Sequence, residues 1–242
     1  MITYIDEKGI ISPIGEDIDC DVAITTFSTH TFKELLARSG AKEHTVIRGG
    51  CDVVIYVCGQ GGKRIAVYLS PVGAPAAVST MEEVMACGVK KVIAFGICGG
   101  LVDMPPHTFI VPNRAYRDEG TSYHYLPAAE YIELDNSGVV KASLNSSGVD
   151  TIVGGTWTTD GFYRETRTRA EQMKANGCIA VDMESAALQA AASFRGKRFY
   201  TFFISADSLA GEEWAPNDIL DLKVTSSTTV AACAAIRLAT EL

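Results

Sequence analysis

The chain repeats one pattern along its length: a short apolar run rich in β-branched residues, a glycine-bearing turn, then a longer amphipathic or alanine-rich stretch. Strands are expected over Val22–Thr26, Val53–Val57, Ile65–Ser70, Val92–Gly96, Phe109–Pro112, Thr151–Thr156 and Arg198–Ile204. Helices are expected over Phe32–Arg38, Ala76–Cys87, Arg167–Ala175, Glu184–Phe194 and Val224–Leu238. Strands that feed helices and return as strands favour right-handed crossovers. The run Lys91-Val92-Ile93-Ala94-Phe95 is apolar on both strand faces, as a central strand covered on both sides requires. The pattern predicts an α/β protein with three layers, α/β/α, on a central mixed, largely parallel twisted sheet, and one domain over residues 1–242. The segment Cys58-Gly59-Gln60-Gly61-Gly62-Lys63-Arg64 looks like a damaged phosphate-binding loop. It is flanked by strands on both sides and lacks the Lys-Ser/Thr ending, so it reads as a hairpin turn.

Composition removes several function classes. With 21 basic and 29 acidic residues, net −8, and no Lys/Arg run, the chain lacks the footprint of a nucleic-acid binder. No apolar stretch approaches 18 residues and the N-terminus does not resemble a signal peptide, so neither a membrane partner nor export is expected and the location is read as cytoplasmic. Seven scattered cysteines without C-x-x-C spacing read as small buried side chains in a reducing compartment. The four histidines show no metal-ligand spacing, so no metal and no organic cofactor are expected.

Two acidic segments carry the candidate chemistry. Val181-Asp182-Met183-Glu184-Ser185-Ala186-Ala187 opens an alanine-rich helix, and Ser205-Ala206-Asp207-Ser208-Leu209 follows an apolar strand. Glu184, with Met183 as an apolar floor, suits a sugar diol, and Asp207 suits protonation of a departing base. N-glycosidic cleavage needs both. Glycine-rich strand ends at Ser70–Pro75 and at Gly96-Ile97-Cys98-Gly99-Gly100 would let backbone N–H groups approach a ligand. Phe162 and Tyr163 offer a ring to stack on a planar base.

Taken together, six stretches resemble the nucleoside phosphorylase family of hexameric purine nucleoside phosphorylases, uridine phosphorylases and methylthioadenosine/adenosylhomocysteine nucleosidases. They are Gly73-Ala74-Pro75, Val92 to Leu101, Arg117 to Tyr125, Thr159 to Tyr163, Val181 to Ala187 and Ala206 to Leu209. The resemblance implies a phosphorylase/hydrolase-like fold in which Phe162 stacks the base and Asp182 lies at the base site. It also implies that Met183 packs under the ribose, that Glu184 takes the 2′ and 3′ hydroxyls, and that Asp207 protonates N7. Because Thr166 and Thr168 stand where uridine phosphorylases carry glutamine and arginine, a purine is expected.

The anion site departs from the family pattern. Phe27-Ser28-Thr29-His30-Thr31-Phe32 replaces the Gly-Asp-Pro-x-x-Arg loop, and Ala94 and Ile97 stand at the arginine and hydroxyl positions. Arg48, Ser28, His30, Gly96, Ile97 and Cys98 are the remaining candidates for holding phosphate, the expected co-substrate. Thr31 and Glu34 have capping-box spacing, which places a helix start at Thr31. Three readings follow: phosphorolysis with an altered anion site, which leads; hydrolysis by water; and non-catalytic nucleoside binding. Hydrolysis is weakened because residues 22 to 33 contain no Asp or Glu to activate water. The resemblance further implies a homo-oligomer, a dimer or trimer of dimers with shared active sites, to which Arg48 and His124 are the candidate donated groups.

Overall fold

A computed structural model describes residues 5, 7, 9–47, 52–217 and 226–242. The strands in chain order are β1 (Val22–Thr26), β2 (Lys42–Ile47), β3 (Val53–Gln60), β4 (Lys63–Leu69), β5 (Lys91–Gly100), β6 (Phe109–Asp118), β7 (Tyr131–Glu133), β8 (Thr151–Thr159), β9 (Cys178–Asp182) and β10 (Arg198–Ser208). The helices are α1 (Thr29–Ser39), α2 (Ala74–Ala86), α3 (Ser137–Ser146), α4 (Arg167–Ala175), α5 (Ser185–Phe194) and α6 (Ser226–Glu241). All ten strands join one mixed sheet, with β1, β4 and β5 at its middle.

Parallel pairs join β1 to β4 and β5, β5 to β10, β6 to β8 and β8 to β9. The hairpins β2–β3–β4 and the pairs β5–β9, β6–β7 and β6–β10 are antiparallel. The sheet is therefore more evenly mixed than the strand–helix alternation implies. It also closes on itself. The circuit β5–β9–β8–β6–β10–β5 is a five-stranded ring, and β1, β4, β3 and β2 continue from β5 as an open wing. Cys98, Ile110, Ala180 and Phe203, from four strands of the ring, pack against one another.

Helices cover both faces, giving the three layers. Ala23, Val92 and Ala94 pack with α2 and α5 on one side, while their neighbours Val22, Ile24, Ile93 and Phe95 pack with α1, α3 and α6 on the other. This two-sided burial is why β1 and β5 read as continuous apolar runs. The β3–β4 connection is the expected hairpin, turning on Gly61 (φ 56°) and Gly62 (φ 76°), a left-handed pair that suits glycine. The helix expected at Thr31 instead begins at Thr29 behind Ser28, and the Glu34 carboxylate bonds Arg38 and Thr229 in place of a capping box. The expected start of the last helix at Val224 lies outside the described residues. Among the described residues no helix is long and apolar enough to cross a membrane.

Candidate active site

The sequence expectation ended the strands near Gly96 and Ile204, but β5 and β10 run on to Gly100 and Ser208. These extensions build the site. With the β9–α5 junction and the helical turn Phe162–Arg164, they enclose a cavity of about 270 Å³. Pairing along β10 slips by one residue, with Ser205 opposite Cys98 and Asp207 opposite Gly99. This bulge at Ala206 moves Asp207 to the opposite face from Ser205, which unbroken alternation would forbid. Gly99 makes the space that Asp207 uses. A Cβ there would lie 2.8 Å from Val181 Cγ1 and Leu209 Cδ1, and 3.4 Å from Asp207 Oδ1.

Asp207 lines the cavity and is 5% exposed. Its Oδ2 accepts the indole N–H of Trp214 at 2.7 Å. Burial raises its pKa, and the indole hydrogen bond opposes that rise. Glu165 lines the same cavity, and its carboxyl is pushed up to about 7, first by burial and then by the Asp207 charge. Arg167 ties the strand carrying Asp207 to the start of α4, donating to Leu209 O at 2.7 Å and Glu212 O at 3.0 Å.

Glu184 stands immediately before α5, 8% exposed, and its Oε1 accepts the Gly73 N–H at 2.6 Å. Burial and then the Asp182 charge push its pKa to about 8, against the lowering effect of that backbone bond. Gly73 holds φ 98° and ψ 138° at the entry of α2, a conformation open to glycine almost alone.

Asp182 also borders the cavity, but its carboxylate is occupied from within. Oδ1 accepts the hydroxyls of Thr156 and Thr158, both at 2.9 Å, and Oδ2 accepts the N–H groups of Glu184 at 2.9 Å and Ser185 at 2.6 Å. Asp182, expected at the base site, thus also has a structural role: it fixes the strand-to-helix turn that presents Met183 and Glu184.

Met183, Phe162, Gly96, Ile97, Cys98 and Ser28 all line the cavity. Phe162 stands edge-on to Tyr163, and Ile97 is 47% exposed. The Cys98 thiol is held well above its ordinary range by burial and by the nearby Asp182 and Asp207 charges. His30, expected at the anion site, is exposed on the first turn of α1 and does not line the cavity, because the helix starts one residue before it. His124 is exposed in the turn Thr121–His124. Arg48 lies outside the described residues. The sequence reading missed two members, Glu165 and Trp214. Glu165 had a local signal, three residues beyond Phe162; Trp214 had only its isolation in a polar loop.

The sheet is that of a known family of enzymes. The chain belongs to the phosphorylase superfamily, which it matches over residues 21–242. It is 29% identical over 163 residues to the purine nucleoside phosphorylase DeoD-type of Limosilactobacillus reuteri, covering 64% of this chain and 67% of that protein. It is 27% identical over 158 residues to the protein of the same name from Bacillus cereus, with 63% and 67% covered. The fold is similar to that of native futalosine hydrolase from Helicobacter pylori, with TM-score 0.76 and 20% identity over 93% of this chain and 99% of that one.

Proposed function

We propose that the protein is a nucleosidase that cleaves the N-glycosidic bond of a purine nucleoside with water as the nucleophile. The observation that carries this reading is the charge of the cavity: among the described residues its ionisable lining consists of Glu165, Asp182, Glu184, Asp207 and Cys98, all of them acids. A phosphate dianion is held by charge-assisted hydrogen bonds, worth about 1.5–3 kcal/mol each, and carboxylates repel it. Water and an uncharged nucleoside meet no such repulsion.

In this reading Phe162 stacks the base and Met183 forms the floor under the ribose. Glu184, with one oxygen occupied by Gly73, receives the sugar hydroxyls on the other. Asp207 gives its proton to N7 as the C1′–N9 bond breaks and its electron pair moves into the ring. Water bonds to C1′, and the proton it sheds replaces the one spent. Positioned proton transfer of this kind accelerates reactions typically about 10²–10⁴-fold. The reaction so drawn needs only water and the cavity's own groups. We read the chain as one domain that works as a homo-oligomer, with Arg48 and His124 the groups a partner copy would contribute.

The DeoD-type relatives favour a second reading, phosphorolysis, in which Arg48 would bring the missing positive charge. One experiment separates the two: inosine, adenosine, guanosine, uridine and futalosine are incubated with the protein, with and without phosphate, and free base is quantified by chromatography. Release that ignores phosphate supports hydrolysis. Release that requires it overturns hydrolysis in favour of phosphorolysis. Saturable binding without release would make the chain a binder only.

A further inference from the structure

Trp214 is not part of the cavity lining, yet it holds the carboxyl that the proposed reaction uses as its acid: the indole N–H donates to Asp207 Oδ2 at 2.7 Å. The ring is half-exposed, so burial accounts for little of its placement. The loop that carries it is pinned instead by hydrogen bonds. Ser208 and Ala215 form an antiparallel bridge, each N–H reaching the other's carbonyl at 2.9 Å. The Ala210 N–H donates to Ser208 Oγ at 3.2 Å, and the Arg167 guanidinium grips the carbonyls of Leu209 and Glu212.

This makes the two carboxyl oxygens of Asp207 unequal. Oδ2 is taken by the indole. Oδ1 lies on the side of Gly99, where an added Cβ would come within 3.4 Å of it, and Gly99 itself lines the cavity. An indole N–H can donate but not accept. It pairs best with the carbonyl-type oxygen of a neutral carboxyl, which leaves the acidic hydrogen on Oδ1. We propose that Trp214 is a positioning residue: its N–H reserves Oδ2, so that Asp207 presents its proton on Oδ1, and it stabilises the carboxylate left when that proton passes to the base. This inference rests on Asp207 being the acid in the proposed cleavage.

The step balances. The O–H bond at Oδ1 breaks, its electron pair stays on the carboxylate, and an N–H bond forms at N7. Trp214 keeps its own proton throughout, and the proton shed by the attacking water returns to Oδ1. A neutral donor suits this cycle. A cation against Oδ2 would hold Asp207 ionised before the base arrives, whereas the indole bond strengthens as negative charge develops. Arg167, which fixes the same loop, directs its guanidinium to the two carbonyls. The other acids around Asp207 are Glu165, Asp182, Glu184 and Cys98 in the cavity, with Glu212 and Glu213 on the loop of Trp214.

The experiment labels the side-chain carboxyls of aspartate with carbon-13 in the full chain and follows the Asp207 signal by NMR through a pH titration, with Asp207→Asn to identify it. The parent is compared with Trp214→Phe, which keeps a ring without the N–H, and with Trp214→Gln, which keeps an N–H donor. The Asp207 midpoint should move to higher pH in Trp214→Phe and back towards the parent in Trp214→Gln. In base release, kcat should fall roughly 10- to 100-fold in Trp214→Phe with KM nearly unchanged, and should recover in Trp214→Gln, because the bond acts on a developing charge and not on bound nucleoside. A midpoint that stays put or falls in Trp214→Phe, or an unchanged kcat, overturns the assignment. Should the parent release base from no nucleoside, the proposed reaction fails, while the carboxyl titration still decides whether Trp214 governs the Asp207 proton.

Discussion

Glu184 is a carboxyl that the fold keeps at a cost in stability, and the cost depends on pH. Its pKa rises from an ordinary 4.5 to about 8 in the folded state, chiefly by burial. A raised carboxyl pKa means that the folded protein binds more protons than the unfolded chain between those two values. Stability is then fully present below about pH 4.5 and is lost as pH climbs through about 8. Each full unit in that window is worth about 1.4 kcal/mol, so the loss from pH 5 to 8 amounts to about 4 kcal/mol from this one side chain. Glu184→Gln removes the charge and keeps an oxygen able to accept the Gly73 N–H. The variant should match the parent near pH 5 and exceed it by about 3–4 kcal/mol at pH 8.5. Urea unfolding at fixed protein concentration measures this, and a gain of that size moves the midpoint by about 1 M or more at unchanged m. Glu165 titrates in both proteins and cancels in the difference. Parallel stability profiles for the two proteins from pH 5 to 9 would refute the reasoning. The same substitution is expected to remove most turnover, the usual cost of stabilising a functional site.

Trp214→Phe removes the donor that favours the Asp207 anion, so Asp207 should keep its proton to higher pH. The alkaline limb of kcat/KM should move to higher pH; a move to lower pH would contradict the geometry. Asp182→Ala strips four hydrogen bonds from buried donors and should destabilise the protein by about 3–5 kcal/mol, read as a drop in urea midpoint. A loss under 1 kcal/mol would mean that the turn does not depend on it. Gly73→Ala meets no atom within 4 Å, so its cost is backbone strain alone, about 1–3 kcal/mol. Binding of a nucleoside, followed by calorimetry, should weaken with it because the Glu184 anchor shifts.

Local pattern was enough for the layers and for most strands and helices. β1, β5 and β10 carry apolar residues on both faces, and the alanine-rich stretches at 184–194 and 224–238 can only be buried helices or caps on a sheet. β2 escaped because Lys42-Glu43-His44 faces solvent and lacks a strand's apolar signature. α3 escaped because Ser137–Ser146 is too polar for its period to stand out. β9 was hidden inside the acidic segment that opens α5.

The cavity divides the same way. Asp207, Glu184, Met183 and Phe162 could be nominated because each sits in a short local motif whose residue types suit the chemistry. The closed ring could not be read, since β5 pairs with both β9 and β10 through contacts about 80 and 107 residues apart. Nor could the bulge at Ala206, the occupied carboxylate of Asp182, the place of Glu165 in the cavity lining, or the bond from Trp214 to Asp207. Residue types along the chain determined which groups were available for chemistry. Which of them lost their water, gained a neighbour of like charge or were taken up by a turn was decided by long-range packing, because desolvation and Coulomb interactions depend on distance in space.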